Sequence, residues 1–174
     1  MAERAVPELA PARRNGQNPV TSFQGVAAVE FNTGDTAWVL TSSALVMFMT
    51  PGLALFYGGM VRSKNVLSML MQNFFSLGLV SVLWAAFVFS LAFGPDKGGI
   101  IGGLDLAGLS DLLTSQAPGF EALTIPPLLF MAYQMMFAVI TPALITGAIA
   151  DRMKFSAFVL FLGLWLVLVY APVA

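Results

Sequence analysis

The chain contains no histidine and no cysteine, and charged residues make up only 10% of its 174 positions. Without cysteine it forms no disulfide and has no thiolate nucleophile, and without either residue type it lacks the usual ligands of zinc and haem sites. Histidine bases are excluded as well. We therefore expect no cofactor, no metal site and no enzymatic activity. The net charge of −1 gives no indication of a nucleic-acid partner.

Apolar residues, in contrast, are abundant, at 58% of the chain with a mean hydropathy of +0.84. The 17 charges lie in four short zones, and each zone is followed by an uncharged stretch of at least 20 residues. A helix of about 20 apolar residues crosses a hydrocarbon core of about 30 Å. We predict an all-α fold, a polytopic transmembrane helical bundle in the lipid bilayer, with spans at about 36–61, 66–94, 123–150 and 155–173.

The sequence before the first span differs in composition from the rest. Residues 1–34 lack the apolar core of a signal peptide and contain three prolines, so we predict a disordered tail. Short basic loops follow the first span, with Arg62 and Lys64, and the third span, with Arg152 and Lys154. Because short basic loops remain in the cytoplasm, we predict a multi-pass protein of the cell (plasma) membrane with its N-terminus outside and an extracytoplasmic tail.

A few polar and small residues interrupt the apolar spans. Asp35 precedes the first span and is predicted to cap its helix. Ala54 and Gly58 are four residues apart, a spacing that favours close helix packing. Gln72 and Asn73 lie one to two turns inside the second span, where an interhelical hydrogen bond and contact with a permeant species are both open.

The third span carries an aromatic side. Tyr133, Phe137 and Thr141 follow one another at intervals of four residues, which places two rings and a hydroxyl on one side of a helix. Spacing alone is typical of ordinary packing or of an interfacial belt. The residues by themselves therefore assign no function to this side.

Three long stretches resemble the ammonium transporter family, the Amt/Rh channels. They are GDTAWVL at 34–40, TPGLALFYGGMVRSKNVLSMLMQN at 50–73 and YQMMFAVITPALITGAIADRMKFSA at 133–157. The matches are ordered, correctly spaced and cover nearly everything after residue 33. The resemblance implies that residues 35–174 are the N-terminal part of an ammonium transporter domain.

This resemblance also implies an architecture and a function. It implies about eleven spans, arranged mainly as two inverted five-helix halves. This chain has the first four of these spans. The complete protein is expected to be a homotrimer with a pore in each subunit. The substrate is ammonium or ammonia, recruited at an outer aromatic vestibule and conducted as ammonia through a hydrophobic pore. The resemblance also points to a PII-type nitrogen regulator as a partner, since one binds the cytoplasmic face of some members of the family.

The same resemblance assigns roles to two residues of the third span. Phe137 matches the outer gating phenylalanine of the family, and Tyr133 matches the aromatic position one turn outside it. The family's vestibule tryptophan and serine, inner gating phenylalanine, structural aspartate and pore histidines all fall after the fourth span. We therefore expect the fragment alone to be inactive in transport.

One alternative of a different class remains open at this point. A self-standing four-helix membrane protein could act as a scaffold or as a regulatory subunit. A natural stop codon directly after Ala174, with a stable expressed product, would favour that reading. A continuation of the coding sequence with a nearby tryptophan and two later span histidines would confirm the channel.

Overall fold

Four long helices make up most of the computed structural model, which describes residues 31–110, 112, 119–150 and 152–174. All four are long and apolar enough to cross a membrane, since even 19 residues rise about 28 Å. Their bounds are α1, Thr33–Met60; α2, Ser63–Phe93; α3, Pro127–Ile149; and α4, Phe155–Val173. The predicted class, a transmembrane helical bundle, is confirmed.

The predicted cap of the first helix is wrong. Asn32, not Asp35, is the N-cap, and its side-chain oxygen accepts from the amides of Gly34 at 2.8 Å and Asp35 at 3.1 Å. An asparagine with extended backbone is a preferred cap because it satisfies otherwise unpaired amides. The helix therefore begins at Thr33, inside the stretch predicted as a disordered tail, while residues 1–30 of that tail lie outside the described residues.

The third helix starts later than the sequence indicated. We expected the span from residue 123, but α3 begins at Pro127, with Pro126 in an extended conformation at ψ 135°. A residue before proline is disfavoured in the helical region, and proline itself is well suited to the first helical position. The Pro126–Pro127 pair therefore sets this boundary.

Wide π-helical turns occur in two helices. They span Trp84–Val88 in α2 and Leu166–Tyr170 in α4. The rings of Trp84 and Tyr170 touch, with centroids 5.9 Å apart, so the two wide turns lie side by side. Such turns are rare and are frequent at functional sites. The apolar sequence of these spans did not predict them.

Two backbone and side-chain contacts place the starts of α1 and α3 at the same end of the bundle. The Asn32 amide donates to the Thr124 carbonyl at 2.8 Å, and the Thr124 hydroxyl donates to the Asp35 carboxylate at 2.6 Å. At the opposite end, Val61 and Ala150 line one cavity of about 200 Å³. The two short basic loops therefore share an end, as the charge pattern required.

A small hairpin closes the connection between α2 and α3. Strands β1, Asp96–Lys97, and β2, Ile101–Gly102, pair antiparallel around two glycines with positive φ. Ser90, in the last turn of α2, donates to the Gly103 carbonyl at 2.8 Å and accepts from the Leu106 amide at 2.9 Å. This buried serine attaches the connection to the bundle.

The bundle interior is largely apolar but contains a polar pair. The apolar part includes Val80, Trp84, Val88, Phe89, Leu106, Phe158, Leu162 and Leu166. Asn73 of α2 is fully buried, and its amide donates to the Thr146 hydroxyl of α3 at 3.2 Å. Of the two interpretations left open for Asn73, the interhelical hydrogen bond is the one observed. Ala54 and Gly58 are also buried, as close helix packing requires.

We expect Thr146→Val to lower the free energy of unfolding by about 0.5–2 kcal/mol, because it removes the interhelical partner of the buried Asn73 amide and leaves only the bond to the Met69 carbonyl of its own helix among the described residues. The measurement is equilibrium unfolding of the chain in mixed detergent micelles. Thr41→Val is the matched control, since the Thr41 hydroxyl is exposed and, among the described residues, donates to the Ala37 carbonyl of its own helix. Equal stability losses in the two variants would contradict the importance of the Asn73–Thr146 bond.

Candidate functional site

Tyr133 and Phe137 form an aromatic pair on α3. Their ring centroids lie 5.1 Å apart with the ring planes at 74°, an edge-to-face arrangement. In this arrangement the ring that presents its edge keeps both of its faces outside the contact. The spacing of four residues brings the two rings together, as expected from the sequence.

The aromatic pair lies at the surface of the bundle rather than in its core. Phe137 is 37% exposed, and Tyr133 is half-buried. The neighbouring Ala138 and Val139 are buried, so α3 packs against the bundle with one side and presents the pair on another. A ring that is not covered by the described helices is available to a solute, a lipid or further protein.

A hydroxyl and a cavity continue this side of α3. The Thr141 hydroxyl donates to the Phe137 carbonyl at 2.7 Å, which leaves its oxygen able to accept a further hydrogen bond. Thr141 also lines an open cavity of about 330 Å³ together with Trp165 and Tyr170. The site therefore consists of two rings, one hydroxyl oxygen and an adjoining space.

Sequence reasoning missed Trp84, which contacts the helix that carries the pair. Its indole Nε1 donates to the Met131 carbonyl of α3 at 3.2 Å, and the residue is fully buried. A buried tryptophan usually finds a partner for its N–H. That rule could have drawn attention to an otherwise unremarked tryptophan in the second span, although it does not identify the partner.

An aromatic cluster joins Trp84 to the connection between α2 and α3. Measured between ring centroids, Phe89 lies 5.8 Å from Trp84 and 6.0 Å from Phe120. Phe93 lies 5.3 Å from Phe130 by the same measure. These rings fill the end of the bundle where α3 begins. They form an apolar cluster beside the segment that carries Tyr133 and Phe137.

The electrostatics of the site are those of an uncharged surface. No charged residue occurs between Ala122 and Ala150. Within the described residues, no group of acidic, histidine or cysteine side chains could hold a metal ion. The site can therefore attract a cation only through ring faces and oxygen atoms, and it can admit a small neutral solute without a charge penalty.

Four apolar helices, with two short basic loops at one end, define an integral helical membrane protein. The comparison with family models is specific: the model described as "Ammonium Transporter Family" matches residues 37–174. The chain belongs to the ammonium transporter family.

Individual relatives agree with this assignment. An ammonium transporter of Bacillus subtilis is 55% identical over 141 residues, covering 81% of this chain and 34% of the relative. An ammonium transporter of Mycobacterium tuberculosis is 52% identical over 154 residues, covering 81% of this chain and 32% of the relative. The chain thus spans about a third of the length of these relatives.

Solved structures show the same arrangement of helices. The crystal structure of Candida albicans Mep2 is similar with a TM-score of 0.73 and 34% identity, over 83% of this chain and 31% of that one. A structure described as "Sensor Amt Protein" is similar with a TM-score of 0.69 and 26% identity, over 79% of this chain and 32% of that one.

Proposed function

We propose that this chain supplies the outer, aromatic-gated part of a path for ammonium and ammonia in a transporter about three times its length. The observation that carries the proposal is the edge-to-face pair of Tyr133 and Phe137, which is exposed on an uncharged helix of a family member. In this role Tyr133 is an outer contact for the cation. Phe137 offers a ring face for a cation-π contact, and its side chain also acts as the gate of the path.

The energetics favour recruitment of the cation but not its passage. Moving a bare ammonium ion into a low-dielectric path costs far more than a ring can return, since a cation-π contact contributes about 2 kcal/mol when desolvated. The spans offer no carboxylate partner between residues 36 and 61 or within the three later uncharged stretches. The aromatic pair therefore concentrates ammonium without stabilising its full burial.

Loss of a proton resolves this difficulty. Desolvation disfavours the charged form of an ammonium group and so lowers its pKa. Near Phe137 the neutral form becomes the less costly species, so the ion transfers its proton to water on the outer side, and ammonia then passes inward along an apolar path. The proposed activity is transport, with no bond made or broken on a residue of this chain.

The surface of the bundle suits a larger assembly. Large apolar side chains of α1 are strongly exposed, with Trp38 at 73%, Phe48 at 74% and Leu55 at 69%. Lipid, further helices of a full-length transporter or neighbouring copies in a homotrimer would each cover such a surface. Similarity to a protein named a sensor supports a regulatory context, and a PII-type regulator would approach the end with the basic loops.

The direct test is a chimeric transporter in which this chain replaces the aligned segment of the Bacillus subtilis relative. We expect proteoliposomes with the chimeric transporter to take up methylammonium saturably, and proteoliposomes with the 174-residue chain alone to show no uptake. A correctly inserted chimera without uptake would overturn the proposal. Uptake by the chain alone would contradict the need for the remaining helices.

We expect Phe137→Leu in the chimeric transporter to raise the apparent KM for methylammonium. The increase should reach at most about thirtyfold, which corresponds to a complete loss of a cation-π contact of about 2 kcal/mol. Phe74→Leu is the matched control, because Phe74 is 52% exposed on α2 and is in no ring contact with the described residues. Unchanged uptake and selectivity in Phe137→Leu would remove the ring from the mechanism.

The orientation can be tested because the chain contains no cysteine. We expect Ile100→Cys, at an exposed tip of the hairpin, to react with a membrane-impermeant maleimide in intact bacterial cells. Ser63→Cys, at the exposed start of α2 between the basic residues Arg62 and Lys64, should react only after permeabilisation, because short basic connections remain inside. The reverse labelling pattern would place the N-terminus in the cytoplasm.

A further inference from the structure

Two side chains from other helices contact α3 before and after its aromatic pair. They are the buried Trp84 of α2 and its neighbour Tyr170 of α4. Trp84 donates from Nε1 to the Met131 carbonyl at 3.2 Å, two residues before Tyr133. Its ring also touches Tyr170, with centroids 5.9 Å apart. Tyr170 lies beside Thr141, which is one turn after the Phe137 ring. The contacts that start from Trp84 thus bracket the segment with both rings.

The bond to Met131 constrains α3 because it is made in an apolar interior. The Met131 carbonyl belongs to a helix and has a second lone pair available to the indole. Trp84 is fully buried, and Met131 is 6% exposed, so water cannot replace this bond. A shift of α3 along or about its axis would leave the indole N–H unpaired. The bond therefore fixes the height and rotation of α3 next to the pair.

The wide turn of α4 explains why the Tyr170 side chain reaches this place. Trp84 is the first residue of the π-helical turn in α2, and Tyr170 is the last residue of the one in α4. An extra residue in a turn rotates all following side chains by about 100° about the helix axis. If α4 continued as an ordinary α-helix after its first half, the side chain of residue 170 would point about 100° away from its present direction. Two local irregularities converge on one ring contact.

We propose that Trp84 is a positioning residue that holds the Tyr133–Phe137 pair in its geometry for capturing the cation. It touches no substrate and acts through its bond to Met131 and its contact with Tyr170. The inference rests on the proposed transport function, because the position of the Tyr133–Phe137 pair matters only if the pair takes part in ammonium transport. It goes beyond that function by naming the side chain that sets the position.

A purely structural tryptophan would give a different set of results. Loss of a core contact lowers the amount of folded transporter and so lowers the maximal rate, without changing the affinity of the folded molecules. Loss of a positioning contact changes the apparent KM of the folded molecules. It also makes the effect of removing the Phe137 ring depend on whether Trp84 is present.

The first experiment is methylammonium uptake by the chimeric transporter with Trp84→Phe, normalised to the amount of inserted protein. We expect the apparent KM to rise about threefold to tenfold, the range for loss of a neutral hydrogen bond. In Trp84→Phe combined with Phe137→Leu, the rise should be smaller than the product of the single rises. Trp38→Phe is the matched control, because Trp38 is 73% exposed on α1. An unchanged KM, or fold-changes that multiply, would overturn the proposal.

The second experiment removes the donor while retaining the double ring. Replacing Trp84 with 3-benzothienylalanine substitutes sulfur for the N–H, and the same KM measurement applies if Trp84→Phe fails to fold. In the 174-residue chain itself, hydrogen exchange of peptides from residues 127–141 should be at least about threefold faster than in the unmodified chain, because a hydrogen bond to α3 is lost. Unchanged exchange would overturn the inference. Absence of uptake by the unmodified chimera would overturn the proposed function alone, because the exchange result does not depend on transport.

Discussion

Hydrocarbon cannot form hydrogen bonds, so every polar group that enters the membrane with these helices needs a partner inside the protein. The helices satisfy their own backbones, and among the described residues no buried side-chain nitrogen or oxygen lacks a partner. Small hydroxyls meet this requirement locally, as Ser81 does by donating to the Leu77 carbonyl at 2.7 Å. The larger groups, Asn73 and Trp84, meet it by bonding to another helix.

These few interhelical bonds give the bundle its register. Apolar side chains in lipid gain little from one particular rotation of a helix, since a neighbouring lipid chain is as apolar as leucine. A hydrogen bond, in contrast, is lost within about an ångström of displacement. The Asn73–Thr146 and Trp84–Met131 bonds therefore fix α3 against α2 at two heights, and the aromatic pair takes its position from them.

The number of spans was predictable from the sequence because charge is so costly in lipid that its absence marks each crossing. The helix starts were less predictable: Asn32 and Asp35 are both good caps, and only the path of the chain decides which one is used. The π-helical turns and the partner of Trp84 depend on contacts between distant segments, so no local pattern contained them. The pairing of Tyr133 with Phe137 followed from helical spacing, whereas its purpose came from resemblance to a family.

The link between the starts of α1 and α3 has a consequence for the synthesis of the protein. The Thr124 hydroxyl and the Asp35 carboxylate that it contacts are 89 residues apart, and Asn73 and Thr146 are 73 residues apart. At about 5–20 residues per second, a ribosome needs roughly 4–18 s to make the longer of these intervals. Within these intervals α1 and α2 are completed before α3, so Asp35 is made without Thr124 and Asn73 without Thr146. The first two helices thus depend on temporary partners, from the insertion machinery or from water at the membrane surface, until the third arrives.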